Sequence, residues 1–137
     1  DPLLMRVYQQ AFLKRGHTVE TFFNGEDAYE ALAKMEEKPT IVLSDVMMPR
    51  MNGLELLEKL KKSPELKKIP VILSTNLAQM EYVEKGLSLG AITYLVKGQY
   101  TMKELVDKIE ELIETKMEGS VPEVRVAVRD IKSKSKK

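Results

Sequence analysis

Short apolar runs and amphipathic segments alternate along this chain. The apolar runs are rich in β-branched residues and have the length of strands buried on both faces; they span residues 40–44, 69–75 and 91–96. A further run, 17–23, alternates apolar and polar residues as a strand does. Between these runs, apolar residues recur every three or four positions and predict helices at residues 2–16, 26–38, 54–62, 78–89 and 101–117.

This alternation with short links predicts an α/β fold. We expect a doubly wound, mostly parallel sheet of about five strands with helices on both faces. Residues 121–130 add another alternating strand pattern close to the end of the sequence. Sheets of this class place their chemistry beyond the carboxyl ends of the strands, which is where candidate functional residues are expected.

Composition and charge narrow the function classes. The chain has 137 residues, no cysteine and one histidine, which excludes disulfides and thiolate metal sites and disfavours zinc or Ser-His-Asp chemistry. No apolar stretch approaches the roughly 20 residues of a membrane-spanning helix, so we expect a cytoplasmic protein without membrane contact. Residues 119–137 hold six basic and two acidic side chains. We therefore predict a body, residues 1–118, and a basic extension, residues 119–137, with one strand-like segment.

Polar side chains follow three of the predicted strands. Asp45, Thr75 and Lys97 each stand where a buried strand ends, so all three should meet at one edge of the sheet. Each alone has an ordinary explanation, as a turn residue, a helix cap or a surface charge. Together they suit phosphoryl transfer to the Asp45 carboxylate, with a hard cation and an ammonium group neutralising the phosphoryl oxygens. Asp45 and Asp1 are candidate ligands for Mg²⁺.

The segment "DVMMPRMNG" resembles the phosphoacceptor loop of two-component response regulator receiver domains, the CheY-like family. The likeness continues through "IPVILST" and "GAITYLVK" and covers about residues 1–117. It implies a flavodoxin-like sheet and a phosphoacceptor domain rather than an enzyme. The roles that it implies are a phosphorylated Asp45, a Mg²⁺ ion held by Asp1, Asp45 and the backbone carbonyl of Met47, a switch formed by Thr75 and Tyr94, and a phosphoryl-binding Lys97.

The resemblance also implies partners. A histidine kinase or phosphotransfer protein would supply the phosphoryl group, and an unidentified downstream protein would read the surface formed by residues 77–113. The 19 residues after the receiver segment are too few for a DNA-binding domain, so we expect a single-domain regulator. The alternative is a receiver-like interaction module that is never phosphorylated. A phosphohydrolase with an aspartyl intermediate is disfavoured, because Met47 stands where its acid/base aspartate would be needed.

The chain departs from the family pattern at two places. Lys97 is followed by Gly98 where the family usually has proline, so another loop shape should deliver the lysine. The family's first strand, which is central in the sheet, is absent from the N-terminus. Either that strand lies outside this sequence, or residues 124–130 fill its slot and bring Asp130 beside Asp1 as an acidic pair. Because Met47 and Leu77 are apolar at positions that tune dephosphorylation in the family, we expect a long-lived phosphoryl group.

Overall fold

The computed structural model describes residues 2–48, 50–116 and 125–129, with side chains for residues 6–48 and 50–115. These residues form five helices: α1 Pro2–Leu13, α2 Gly25–Lys34, α3 Gly53–Lys62, α4 Met80–Leu89 and α5 Met102–Lys116. They also form five strands: β1 Thr18–Phe22, β2 Ile41–Asp45, β3 Val71–Thr75, β4 Thr93–Val96 and β5 Arg125–Arg129. A single 3₁₀ turn, Leu77–Gln79, precedes α4.

The strands form one parallel sheet in the order β1-β5-β2-β3-β4. The strand that comes last in sequence therefore lies inside the sheet, between β1 and β2. Five of its residues pair with β1 and three with β2. The predicted parallel sheet of about five strands is confirmed, and the C-terminal segment lies between β1 and β2, as in the alternative that placed residues 124–130 inside the sheet. Asp130 and Asp1 lie outside the described residues, and the division after residue 118 stays a prediction.

Two cores lie on opposite faces of the sheet because successive strand residues point to opposite sides. On β2, Ile41 and Leu43 face α1 and α5, where they pack with residues such as Ile109. Val42 faces the other side, where α2 and α3 contribute Leu32 and others. All residues of β2 are buried, as expected of a parallel strand covered by helices on both faces.

Helix ends follow local capping chemistry. The Asn52 side chain accepts a hydrogen bond from the Glu55 N–H, and the Glu55 carboxylate accepts one from the Asn52 N–H, so α3 begins with a complete capping box. At the start of α2, the Asn24 side chain accepts a hydrogen bond from the Asp27 N–H. The predicted helix over 78–89 differs at its start, because its first turn is 3₁₀ and Asn76 makes no side-chain cap.

No helix among the described residues is both long and apolar enough to cross a bilayer.

Candidate functional site

Asp45 ends the central strand β2 and, among the residues whose side chains are described, is the most deeply buried carboxylate. It is 3% exposed. The next residue anchors the strand end on β3, because the Val46 N–H donates to the Ser74 carbonyl at 2.9 Å. Since burial in a low-dielectric interior disfavours a charge, a carboxylate held there needs a compensating partner.

Lys97 supplies that partner. Its Nζ lies 3.2 Å from Asp45 Oδ1, and its side chain is 30% exposed. The sheet register delivers it: β4 pairs Val96 with Thr75, and the Lys97 N–H then donates to the Thr75 carbonyl at 2.7 Å. Gly98 follows with φ 87°, and every described peptide bond is trans. The Lys-Gly sequence thus brings the ammonium group to Asp45 through a left-handed glycine turn.

Thr75 ends the neighbouring strand β3 and is fully buried. Its Oγ1 donates to the Asn76 carbonyl at 3.0 Å. Tyr94, on β4, is half-buried and packs against the core to which α2 and α3 contribute. The structure therefore places Asp45, Thr75 and Lys97 on three successive strand ends, and it joins Asp45 to Lys97 by a direct ion pair.

The loop between β2 and α3 turns sharply around the Asp45 backbone. The Gly53 N–H donates to the Val46 carbonyl at 2.8 Å. A Cβ added at Gly53 would lie 2.0 Å from the Asp45 carbonyl oxygen, so only glycine fits there. This close approach explains the glycine in the segment after the strand, because α3 begins directly against the end of β2.

Two of the candidate cation ligands belong to the described residues. The Asp45 carboxylate and the backbone of Met47 belong to the described residues, and both offer the oxygen ligands that Mg²⁺ prefers. Asp1 and Asp130, the other candidate carboxylates, lie outside them. Within residues 6–48 and 50–115, no three acidic or histidine side chains come together as a metal cluster. Leu77, which we expected from the sequence to affect the lifetime of the phosphoryl group, is 70% exposed.

Two interactions of the described residues were not anticipated from the sequence. Arg50, in the loop after Asp45, pairs with Glu26 and Asp27 at the start of α2. His17, the one histidine of the sequence, is 7% exposed, and its Nε2 lies 2.6 Å from Glu110 Oε2. Both contacts join segments that are far apart in sequence, so no local sequence pattern predicts them.

Comparison with known proteins gives a consistent result. Residues 1–110 match the family described as the response regulator receiver domain. The chain is 37% identical over 114 residues to the gliding motility regulatory protein of Myxococcus xanthus, an alignment that covers 82% of this chain and 14% of that relative. Other curated relatives are also longer; the chain spans 53% of a probable transcriptional regulator from Porphyra purpurea, at 36% identity.

Solved structures share the fold. The signal receiver domain of a signal transduction histidine kinase from Syntrophus aciditrophicus superposes with a TM-score of 0.74 at 28% identity, covering 88% of this chain and 89% of that one. The receiver domain of a sensor histidine kinase from Pseudomonas aeruginosa superposes with a TM-score of 0.70 at 20% identity, covering 82% and 90%. That second structure holds a magnesium ion in its active site cleft.

Proposed function

Because this chain belongs to the response regulator receiver family of two-component signalling, we propose that it accepts a phosphoryl group on Asp45. The donor would be a histidine kinase or a phosphotransfer protein. The observation that carries the proposal is the buried Asp45 carboxylate at the carboxyl edge of the sheet, 3.2 Å from the Lys97 ammonium group. A buried carboxylate that faces an ammonium group at a strand end is a common arrangement at functional sites.

In the proposed reaction a carboxylate oxygen of Asp45 attacks phosphorus. The bond between phosphorus and the donor's imidazole nitrogen breaks, and its electron pair leaves with the imidazole. The product is an acyl phosphate on Asp45. The Lys97 ammonium group, which now faces the Asp45 carboxylate, would then neutralise the negative charge of a phosphoryl oxygen. Catalysis of this kind depends on positioning, which the rigid strand ends supply.

Thr75 is the proposed switch residue. Its hydroxyl now donates to the Asn76 carbonyl, and it would rotate to donate to a phosphoryl oxygen on Asp45. Tyr94 is half-buried and so has room to change its burial when Thr75 moves. The surface formed by residues 77–113 would transmit the change. It carries apolar side chains that a partner could cover: Leu77, Tyr82 and Leu87 are 70%, 38% and 39% exposed.

The donor set of the site fits Mg²⁺, and a receiver domain of the same fold holds that ion in its cleft. Asp45 and the Met47 carbonyl would be two protein ligands, with Asp1 and Asp130 as the acidic pair. The position of β5 supports a role for Asp130, because β5 ends beside β2 and Asp130 is the next residue in sequence. The ion would offset the repulsion between the carboxylate and the incoming phosphoryl group.

Intact mass after incubation with acetyl phosphate and Mg²⁺ tests the proposal. We expect one phosphoryl adduct on the wild type, none on Asp45→Asn, and an unchanged adduct on Asp107→Asn, which removes an exposed aspartate of α5. Adding excess chelator should abolish the adduct. Folded wild-type protein that gains no adduct would instead support the alternative, a receiver-like interaction module that works without phosphorylation.

A further inference from the structure

Arg50 lies in the loop that follows the proposed phosphoacceptor and reaches across to the first turn of α2. Its Nε is 3.1 Å from Glu26 Oε1, and its Nη2 is 3.1 Å from Asp27 Oδ1. The same Nη2 lies 3.4 Å from Oδ1 of Asn24, the residue that caps α2. One guanidinium therefore binds three oxygen acceptors on a single helix end.

The backbone of the loop docks on the same helix end. The Gly25 N–H donates to the Met51 carbonyl at 3.0 Å. A Cβ added at Gly25 would lie 2.3 Å from that carbonyl oxygen, so the two backbones are as close as glycine permits. Side chain and backbone thus fix the loop to α2 from adjacent residues, 50 and 51.

Arg50 adopts a left-handed backbone with φ 66°, and it is the one non-glycine residue with positive φ among the described residues. An arginine disfavours this conformation relative to glycine. Its place there is explained by the side-chain contacts to Glu26 and Asp27, which offset the backbone cost. Because two carboxylates already face the guanidinium, Arg50 is placed to hold the loop rather than to bind a phosphoryl group.

We propose that Arg50 is a positioning residue for the cation site. By holding the loop on α2, it would keep the Met47 carbonyl oriented toward the ion that Asp45 also binds. The inference rests on the proposed function in that it assumes Mg²⁺ at this site. A residue that only pre-orients a ligand should change the affinity for the ion and leave the phosphotransfer rate at saturating Mg²⁺ nearly unchanged.

The test measures Mg²⁺ binding by isothermal titration calorimetry on the unphosphorylated chain. Arg50→Gly removes the side chain and also relieves the left-handed backbone, so a loss of affinity cannot come from backbone strain. The double variant Glu26→Gln with Asp27→Asn removes the acceptors and keeps Arg50. Arg15→Ala is the matched control, because Arg15 also pairs with two carboxylates, Asp107 and Glu110, but on the α1 and α5 side.

We expect Arg50→Gly and the double variant each to raise the dissociation constant for Mg²⁺ about three- to tenfold, the range for two exposed ion pairs. Combining them should add nothing further, since both remove the same contact. Arg15→Ala should bind Mg²⁺ as the wild type does. High salt should reduce the ratio of the Mg²⁺ dissociation constants of Arg50→Gly and the wild type. Salt screens exposed ion pairs, and Arg50 and Glu26 are each 56% exposed.

The outcomes separate this inference from the proposed function. Unchanged Mg²⁺ affinity in Arg50→Gly, or an equal loss in Arg15→Ala, would overturn the positioning role even if Asp45 is phosphorylated. Weaker binding in Arg50→Gly with no phosphoryl adduct on the wild type would uphold the role and refute the phosphoacceptor function. Wild-type protein that binds no Mg²⁺ would overturn the inference outright.

Discussion

Removing the C-terminal strand should unfold this domain. Strand β5 pairs through five residues with β1 and through three with β2, so its deletion would leave two unpaired edges inside the sheet. If each pair brings about one hydrogen bond at a net ~0.5–1.5 kcal/mol, the deletion removes roughly 4–12 kcal/mol. Whole domains have about 5–15 kcal/mol of stability, so the loss is comparable with the total.

The assay is urea denaturation followed by circular dichroism, comparing the full chain with a variant that ends at residue 118. The truncated chain should show little cooperative unfolding, and it should aggregate through its unpaired strand edges. A single change, Ala127→Pro, should act in the same direction, because proline cannot donate to the ladder that pairs residue 127 with Glu20 and Val42.

Placing proline at Ser135, beyond the end of β5, is the matched control and should leave the midpoint unchanged. A truncated chain that unfolds cooperatively at the wild-type urea midpoint would refute the assignment of β5 to the centre of the sheet. Recovery of the truncated chain on adding a synthetic peptide of residues 119–137 would support it, since the peptide could pair with both edges.

Three further predictions concern charge pairs and the lifetime of the phosphoryl group. Lys97→Met should lower the free energy of unfolding by about 1–3 kcal/mol, which is less than for a fully buried pair because Lys97 is 30% exposed. Adding Asp45→Asn to Lys97→Met should recover most of this loss. If Lys97→Met costs as much in the Asp45→Asn variant as in the wild type, the pairing is contradicted. Met47→Asn should shorten the phosphoryl lifetime measured by mass spectrometry, because an amide can orient an attacking water; an unchanged lifetime would contradict that role. The Arg15 hydrogen bond, with help from a neighbouring lysine, lowers the pKa of Asp107 below 3.8, so its stabilisation is present above pH 3.8 and lost as pH falls through the folded-state pKa. Asp107→Asn should therefore be less stable than the wild type at pH 7, and the two should converge in acid; a gap that persists in acid would argue against the ion pair.

Much of the fold follows from local sequence pattern. The β-branched runs before Asp45, Thr75 and Lys97 can be buried on both faces only as parallel strands covered by helices, and this determines that their carboxyl ends share an edge. The register brings the end of β4 beside Thr75, and the turn at Gly98 then brings the Lys97 side chain to Asp45. Spacing therefore predicts which strand ends meet, but it does not predict the ion pair itself.

The location of β5 could not be read from its alternating pattern. Alternation shows that residues 125–129 suit a strand, but it does not indicate which strands they pair with. In the structure, β5 pairs with residues 18–22 of β1 and 41–43 of β2, which are distant in sequence. Pairing of this kind depends on how β1 and β2 are arranged around β5, which is a property of the whole sheet.

The contacts of Arg50 and His17 were unpredictable for a related reason. Arg50 is 24 residues from Glu26, and His17 is 93 residues from Glu110. Polar side chains have many possible partners in a sequence, and only the packing of α2 against the loop and of α1 against α5 selects these. The 3₁₀ start of α4 likewise reflects a helix N-terminus without a side-chain cap at Asn76.

The central claim is that Asp45 is the phosphoacceptor, and the most direct measurement maps the modified residue. After treatment with acetyl phosphate and Mg²⁺, borohydride reduction converts an aspartyl phosphate to homoserine, which survives tryptic digestion. The expected tryptic peptide, residues 35–50, contains Asp45 and no other aspartate. We predict that homoserine appears in this peptide at position 45. Homoserine at another aspartate, or no conversion in folded protein, would contradict the account.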